Sequence, residues 1–392
     1  MTPTALLRYG FRPFVLLGAV GSAALIAVWV PWFLGLVSLQ MELPPVSWHA
    51  HEMLFGVVPG ILGGLLLTAT PRWAGRPPVA GWLPAALVVV WIMGRLGVVG
   101  SEALGPLGTA LLNVLFPVAL TIVTGREIVA ARNWCDLKML GLLGILVGAQ
   151  SLFHWELWRF GQSTHGTRLA VATSVTLIML IGGRIIPNLA RSLPEVRVVT
   201  RRPTPFSRFD RGATGLGMLA LAAWTLRDDA VLDARLTGAL LLIAGLAQAA
   251  RILRWRPHRR LTDPLALVLH IAYGFIPVGF LLAAWAALAG SPAHGGAALH
   301  AWTVGAIGGM MPAMMARVPP DHAGRPLTAF WPFAAISLAV IVAAGTLIAA
   351  VLDPQRTMQL MPLSGILWAV AFLMFGIVTA RRQHAGLNVR HR

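Results

Sequence analysis

Long apolar runs alternate with short segments rich in arginine, proline and polar residues, and the runs set the architecture. A helix that crosses the hydrocarbon core of a bilayer needs about 20 predominantly apolar residues. Twelve runs meet or approach that length, near residues 13–36, 48–70, 80–100, 103–125, 137–158, 168–190, 213–227, 230–250, 264–290, 296–316, 327–352 and 358–380. The seventh is the shortest. The pattern predicts an all-α polytopic membrane protein, read as one transmembrane domain over residues 1–392.

Composition agrees. The mean hydropathy is +0.74. Charged residues make up 11% of the chain, against about 25% in a soluble domain. The net charge of +17 is therefore read through the excess of Lys and Arg in cytoplasmic loops of membrane proteins. Nucleic-acid binding would gather the charge on a soluble basic face, and the sequence has none. Cys135 is the only cysteine, which excludes an internal disulfide, a cysteine-rich cluster and a CxxCH haem attachment.

Arginine sorts the loops. One side carries Arg8, Arg12, Arg72, Arg76, Arg132 and Lys138, then the stretches 191–211 and 251–260, then Arg317, Arg325 and the tail from Arg381. The other side carries Arg159, Arg227, Arg235 and Arg356 mixed with Glu42, Glu102, Asp228, Asp229, Asp233 and Asp353. Both termini are expected on the cytoplasmic side. The second, sixth and tenth spans then run from outside to inside, and His49, His51 and His300 lie within about two helical turns of the outer surface.

The second and tenth spans read as copies. At a shift of 249 residues (300 − 51), His51 falls on His300, Gly56 on Gly305, Gly60 on Gly309 and Pro71 on Pro320. The tetrapeptide Ala74-Gly75-Arg76-Pro77 falls on Ala323-Gly324-Arg325-Pro326. The sixth span matches more weakly, through Gly182-Gly183, Ala190-Arg191 and Pro194 at a shift of 126 (308 − 182). A period of about 125 residues predicts three four-span units, near 1–131, 132–255 and 256–392. Glycine-rich helices also resemble one another because small residues permit close packing.

The candidate chemistry lies in the polar residues of these runs. Trp48-His49-Ala50-His51-Glu52-Met53 opens the second span. Residues two apart on a helix point roughly 200° away from each other, so His49 and His51 are expected to serve different sites. His51 and His300, matched by the repeat, would suit the two axial positions of a haem, or form a hydrogen-bonded pair between helices. His49 is a candidate for a second haem or copper, or an interfacial histidine. His154 is a further ligand or hydrogen-bond partner of the outer cluster, and His270 is a ligand candidate nearer the cytoplasmic side. Glu52 reads as a proton carrier, a hydrogen-bond partner of a ligand histidine, or a carboxylate at a helix start.

Arg95 lies near the outer side, where it could meet a haem propionate, and Arg184 reads as embedded in the sixth span, which demands an anionic partner. His322 is expected in an inner loop. His165, His258, His294, His384 and His391 read as solvated. The methionine pairs at 310–311 and 314–315 are more in keeping with packing than with copper ligation. Trp32, Trp48, Trp82 and Trp302 read as interface anchors.

On these residues the chain resembles the NnrS family of haem- and copper-containing bacterial membrane proteins. The matching pieces are Gly10-Phe11-Arg12-Pro13-Phe14, Trp48-His49-Ala50-His51-Glu52-Met53, residues 67–78, Gly182-Gly183-Arg184-Ile185-Ile186-Pro187, His300-Ala301-Trp302-Thr303-Val304-Gly305 and His322-Ala323-Gly324-Arg325. The resemblance implies haem b, one or two per chain, copper, the bacterial inner (cytoplasmic) membrane, and a role in the response to nitric oxide and nitrosative stress. Twelve spans in three units also look like the catalytic subunit of haem–copper oxidases and nitric oxide reductases. There a low-spin haem is held by histidines of the second and tenth spans. The two-histidine HxH motif lies on the tenth span of that superfamily and on the second span here.

The reading is a haem-dependent protein that metabolises nitric oxide. In its sharpest form, two molecules of nitric oxide are reduced to nitrous oxide at an iron on His49, while a His51–His300 haem relays electrons. The partners are nitric oxide, the lipid bilayer, and quinol or a separate electron-donor protein. A haem sensor or scavenger without turnover, and a transporter of a metal complex or small anion, are the competing classes.

Overall fold

A computed structural model describes residues 10–73, 78–132, 134, 137–189, 206–227, 233–255, 264–316 and 330–388. They form twelve helices, each matching one apolar run. These are α1 (Phe11–Phe33), α2, α3 (Trp82–Val99), α4 (Ser101–Ala130), α5 (Leu137–Phe160) and α6 (His165–Leu189). There follow α7 (Arg208–Thr225), α8 (Ala234–Arg254), α9 (Pro264–Ala289), α10, α11 (Phe330–Leu352) and α12 (Thr357–Asn388).

Helices α2 and α10 each have three parts. In α2, Pro45–His51 and Val58–Trp73 are α-helical and Glu52–Val57 between them is π-helical. In α10, Pro292–His300 and Gly309–Ala316 flank the π-helical stretch Ala301–Gly308. The Val58 amide donates to the carbonyl of Met53, five residues back, and Gly309 does the same to Val304. The two π stretches begin at residues 52 and 301, 249 apart (301 − 52), the shift that aligns the two sequences. Helix α6 is α-helical throughout.

Ten helices among the described residues are long and apolar enough to cross a membrane, so the chain is a multi-pass membrane protein. Helices α7 and α10 are the two that fall short. Helix α7 carries Arg208, Asp210 and Arg211 at its start, where Ser207 and Asp210 close a reciprocal cap. Helix α10 is diluted by glycine, histidine and proline. Local chemistry sets several helix starts. Proline leads α2 and α10 at the first helical position, where its missing amide is no loss. Gly105, at φ 65°, breaks α4 just ahead of Pro106.

The chain divides into two compact units, residues up to Ala170 with the C-terminal part of α12 from Phe372, and the remainder from Val171 to Ala371. In the first unit α1 lies on α2, α2 on α4, α3 on α4 and α4 on α5. Phe14, Leu66, Leu67, Trp91, Phe116, Leu120 and Leu143 form its core. In the second unit α8 packs between α7 and α9, and α10 lies against α9 and α11. Large apolar side chains also cover the exterior of each unit, Leu107, Leu111 and Ile122 in the first and Leu253 and Ile366 in the second. A soluble protein rarely exposes so much apolar surface, and lipid is the solvent that suits it.

Of the four tryptophans expected as interface anchors, only Trp82 is exposed. Trp302 is fully buried and donates its indole N–H to the carbonyl of Ile276 at 3.1 Å. Trp32 and Trp48 are buried against each other, edge to face. Position near a helix end does not say which way a ring turns, and these three turn inward.

A buried imidazole, carboxylate and guanidinium chain

Helix geometry separates the two histidines of the second span. His49 is half-buried and stacks on the ring of Trp29 in α1, with centroids 4.2 Å apart. His51 turns toward α5, against Phe153 and His154. His51 and Glu52 occupy the junction where α2 passes from α-helix to π-helix. Such junctions widen the turn and are frequent at functional sites.

Four predicted site residues come together there. His51 is fully buried, Glu52 is 2% exposed and His154 is 7% exposed. Glu52 Oε1 accepts from His51 Nδ1 at 2.9 Å. Glu52 Oε2 lies 3.3 Å from Arg95. Arg95 donates its other terminal nitrogen to Asn113 Oδ1 at 2.6 Å, and Asn113 donates to the carbonyl of Thr109 at 2.8 Å. On the far side of His51, its Nε2 lies 3.2 Å from His154 Nε2. The result is one chain of polar contacts running from α5 through α2 and α3 to α4. The negative charge of Glu52 is matched by Arg95, which is what a buried carboxylate requires.

Because a carboxylate accepts only, the His51 Nδ1 carries the proton, and the Nε2 lone pair faces His154. Phe55 and Phe153 close over the His51 ring, with centroids 5.6 and 5.5 Å away. Gln150 lies one helical turn before His154 on α5. It is fully buried, and both its amide oxygen and its amide nitrogen lack a hydrogen-bond partner. Buried polar groups are rarely left so.

The remaining sequence candidates have their own settings. In the second unit His300 is half-buried, and its Nδ1 donates to the Gly296 carbonyl at 2.9 Å. His270 is buried in α9 with Nδ1 on the Ala266 carbonyl at 2.6 Å. Glu156, two residues past His154, faces away from the chain of contacts and caps α6. Its carboxylate accepts from Ser163 Oγ, from the amides of Thr164, His165 and Gly166, and from His165 Nδ1. His165, read as solvated, is thus part of a helix cap. His322, Cys135, His258, His391 and both Ala-Gly-Arg-Pro segments lie outside the described residues. Among the described residues no group of three or more His, Cys, Asp and Glu side chains gathers as a metal-binding set.

Arg184 stands within the sixth span, as expected, but turns outward. It is exposed, and its guanidinium lies 5.5 Å from the Phe206 ring. The fully buried arginine of this region is Arg251, assigned from sequence to a loop. Arg251 pairs with Asp210 at 3.0 Å and donates to the Met179 carbonyl and to Tyr273. The Tyr273 hydroxyl donates in turn to Gln248. Sequence reading missed this tie because Arg251 stands at the edge of an arginine-rich run, where charge alone reads as loop.

The fold and this chain of contacts define a class, a multi-pass helical membrane protein with ionisable side chains deliberately buried in its first unit. The family model for NnrS proteins matches residues 5–382, nearly the whole chain, and the protein belongs to the NnrS family. The family implies a nitric oxide-responsive membrane protein. No curated protein matches the chain.

Proposed function

We propose that the protein binds haem b through histidine and consumes nitric oxide in defence against nitrosative stress, most concretely by reducing it to nitrous oxide. The supporting observation is the state of the histidines. His51 and His300 each turn Nδ1 to an oxygen acceptor, which holds the proton there and makes Nε2 the atom that would ligate a metal. That arrangement is the usual support for a metal-bound imidazole, so the donor set suits haem iron. His49, stacked on Trp29, is the candidate for an iron with an open position. When bound, haem supplies that position for nitric oxide and a path for electrons.

The side chains do the rest. Reduction of two nitric oxide molecules to nitrous oxide and water takes up two electrons and two protons. Glu52 is a buried carboxylate hydrogen-bonded to His51 and paired with Arg95, an ionised acceptor through which a proton can be relayed. Electrons come from quinol or a separate donor protein. The same reading puts the chain in the bacterial cytoplasmic membrane with both termini inside, from the arginine-rich loops.

The test is the reduced-minus-oxidised optical spectrum of the purified protein, with haem counted per chain, followed by nitric oxide addition and a nitrous oxide assay. Stoichiometric haem lost in His300→Ala or His49→Ala, with nitrous oxide formed, bears the proposal out. Nitric oxide binding without product leaves a scavenger or sensor. A folded protein that takes up no haem sinks the redox reading and favours transport.

A further inference from the structure

Arg184 lies near the end of the sixth span, which closes at Pro187, and it is exposed. An arginine in an apolar span calls for an anionic partner, and no described side chain supplies one. Among the described residues of the second unit, Asp210 is the carboxylate at this end, and both of its oxygens are engaged. Oδ1 accepts from Arg251 Nε at 3.0 Å, and Oδ2 accepts from the Ser207 amide and hydroxyl.

Two rings gather further guanidinium groups at the same place. Phe206, just ahead of α7, lies 5.5 Å from the Arg184 guanidinium and 4.9 Å from that of Arg251. Phe209 lies 4.8 Å from the guanidinium of Arg254. The ends of α6, α7 and α8 therefore meet here, and Arg208, Arg211 and Arg254 are exposed together with Arg184. With Asp210 committed to Arg251, the charge of the four exposed arginines is left unbalanced. A guanidinium against a ring uses none of its N–H donors for that contact, so the planar fork stays open to a phosphate, which it binds bidentately.

The surface that leads to this end is apolar. Ile243, Leu246 and Leu253 on α8 are all exposed, and helical spacing puts them on one side of the helix. Arg254 follows Ile243 by three turns and closes that side. A ligand that covers both must carry an anionic head and an apolar tail.

We propose that the joined ends of α6, α7 and α8 bind the head group of an anionic phospholipid. Arg184 and Arg254 contact its phosphate, Arg208 and Arg211 add charge, and an acyl chain runs along Ile243, Leu246 and Leu253. Basic sites between membrane helices take anionic head groups in this way. A phosphatidylethanolamine also has a phosphate, but its ammonium group is repelled by the arginines. This site is separate from haem binding and from nitric oxide chemistry.

The experiment is native mass spectrometry of the full-length protein in neutral detergent, titrated with dioleoylphosphatidylglycerol or with dioleoylphosphatidylethanolamine. The wild type should bind the phosphatidylglycerol more tightly. Arg184→Gln should weaken that binding about fivefold, and Arg184→Gln with Arg254→Gln about 25-fold. Arg235→Gln, exposed at the opposite end of α8, should leave it unchanged. Thermal unfolding without lipid checks that each variant is folded, and the wild-type preference stands as a test without them. Equal binding of the two lipids, a loss in Arg235→Gln as large as in Arg184→Gln, or displacement of the lipid by inorganic phosphate at matched concentration overturns the proposal.

Discussion

Arg95 crosses α2 at Gly56, with its guanidinium occupying the space that a Cβ on residue 56 would need. The equivalent glycine 249 residues on, Gly305, is crossed by the ring of Phe275 instead. The partner changes with it. Glu52, which meets Arg95 at 3.3 Å, is replaced at the equivalent position by Ala301. Carboxylate and guanidinium are therefore present together in the first unit, and alanine and phenylalanine stand in their places in the second. A buried charge persists only with its partner. The two π-helical stretches share a backbone, and only the first carries the ion pair.

Gly56→Ala should push Arg95 off Glu52 and destabilise the protein by about 1–3 kcal/mol, the usual range for overpacking. Gly141→Ala on α5, where nothing stands near the added methyl, should be neutral or stabilising by up to about 1 kcal/mol. Thermal unfolding in detergent compares the two, and equal effects would refute the close approach.

Glu52→Gln should leave Arg95 without its counter-charge and lower stability by about 3–5 kcal/mol. Arg95→Met should cost a similar amount. The double variant Glu52→Gln with Arg95→Met should lose less than the sum of the two, since it removes both charges. Additive losses in denaturant unfolding would mean that the ion pair does not couple them.

Glu156 differs from Glu52 in kind. Glu156→Gln keeps an acceptor but loses charge-assisted bonds to three amides at the start of α6. About 1–3 kcal/mol should be lost, with faster hydrogen exchange at residues 164–166. Any metal or haem spectrum should be unchanged, because this carboxylate faces the helix start. A spectral change would place it in the site.

The two arginines of the second unit should behave oppositely. Arg251→Met strands Asp210 and removes a donor to Met179 and Tyr273, and should lower stability by about 3–5 kcal/mol. Arg184→Gln, at an exposed position, should stay within about 0.5 kcal/mol. Comparable losses on unfolding would contradict the burial seen for Arg251.

The sequence by itself determined the twelve helices and their places, because the length and apolarity of a run are local properties and a helix satisfies its own backbone in lipid. It also determined the divergence of His49 and His51, since two residues on one helix differ in direction by a fixed angle. The match of the second and tenth spans was legible as well, and it reappears as two π-helical stretches in the same register. The tertiary structure alone decided which polar groups meet. The pairing of His51 with His154 joins positions 103 residues apart, and that of Arg251 with Asp210 joins positions 41 apart. Neither follows from any local period. Side-chain direction was decided there too. Trp302 and Arg251 turned inward and Arg184 outward, because the inner face of a helix is set by what packs against it. A contact between helices depends on their mutual rotation and depth, which an apolar run leaves open.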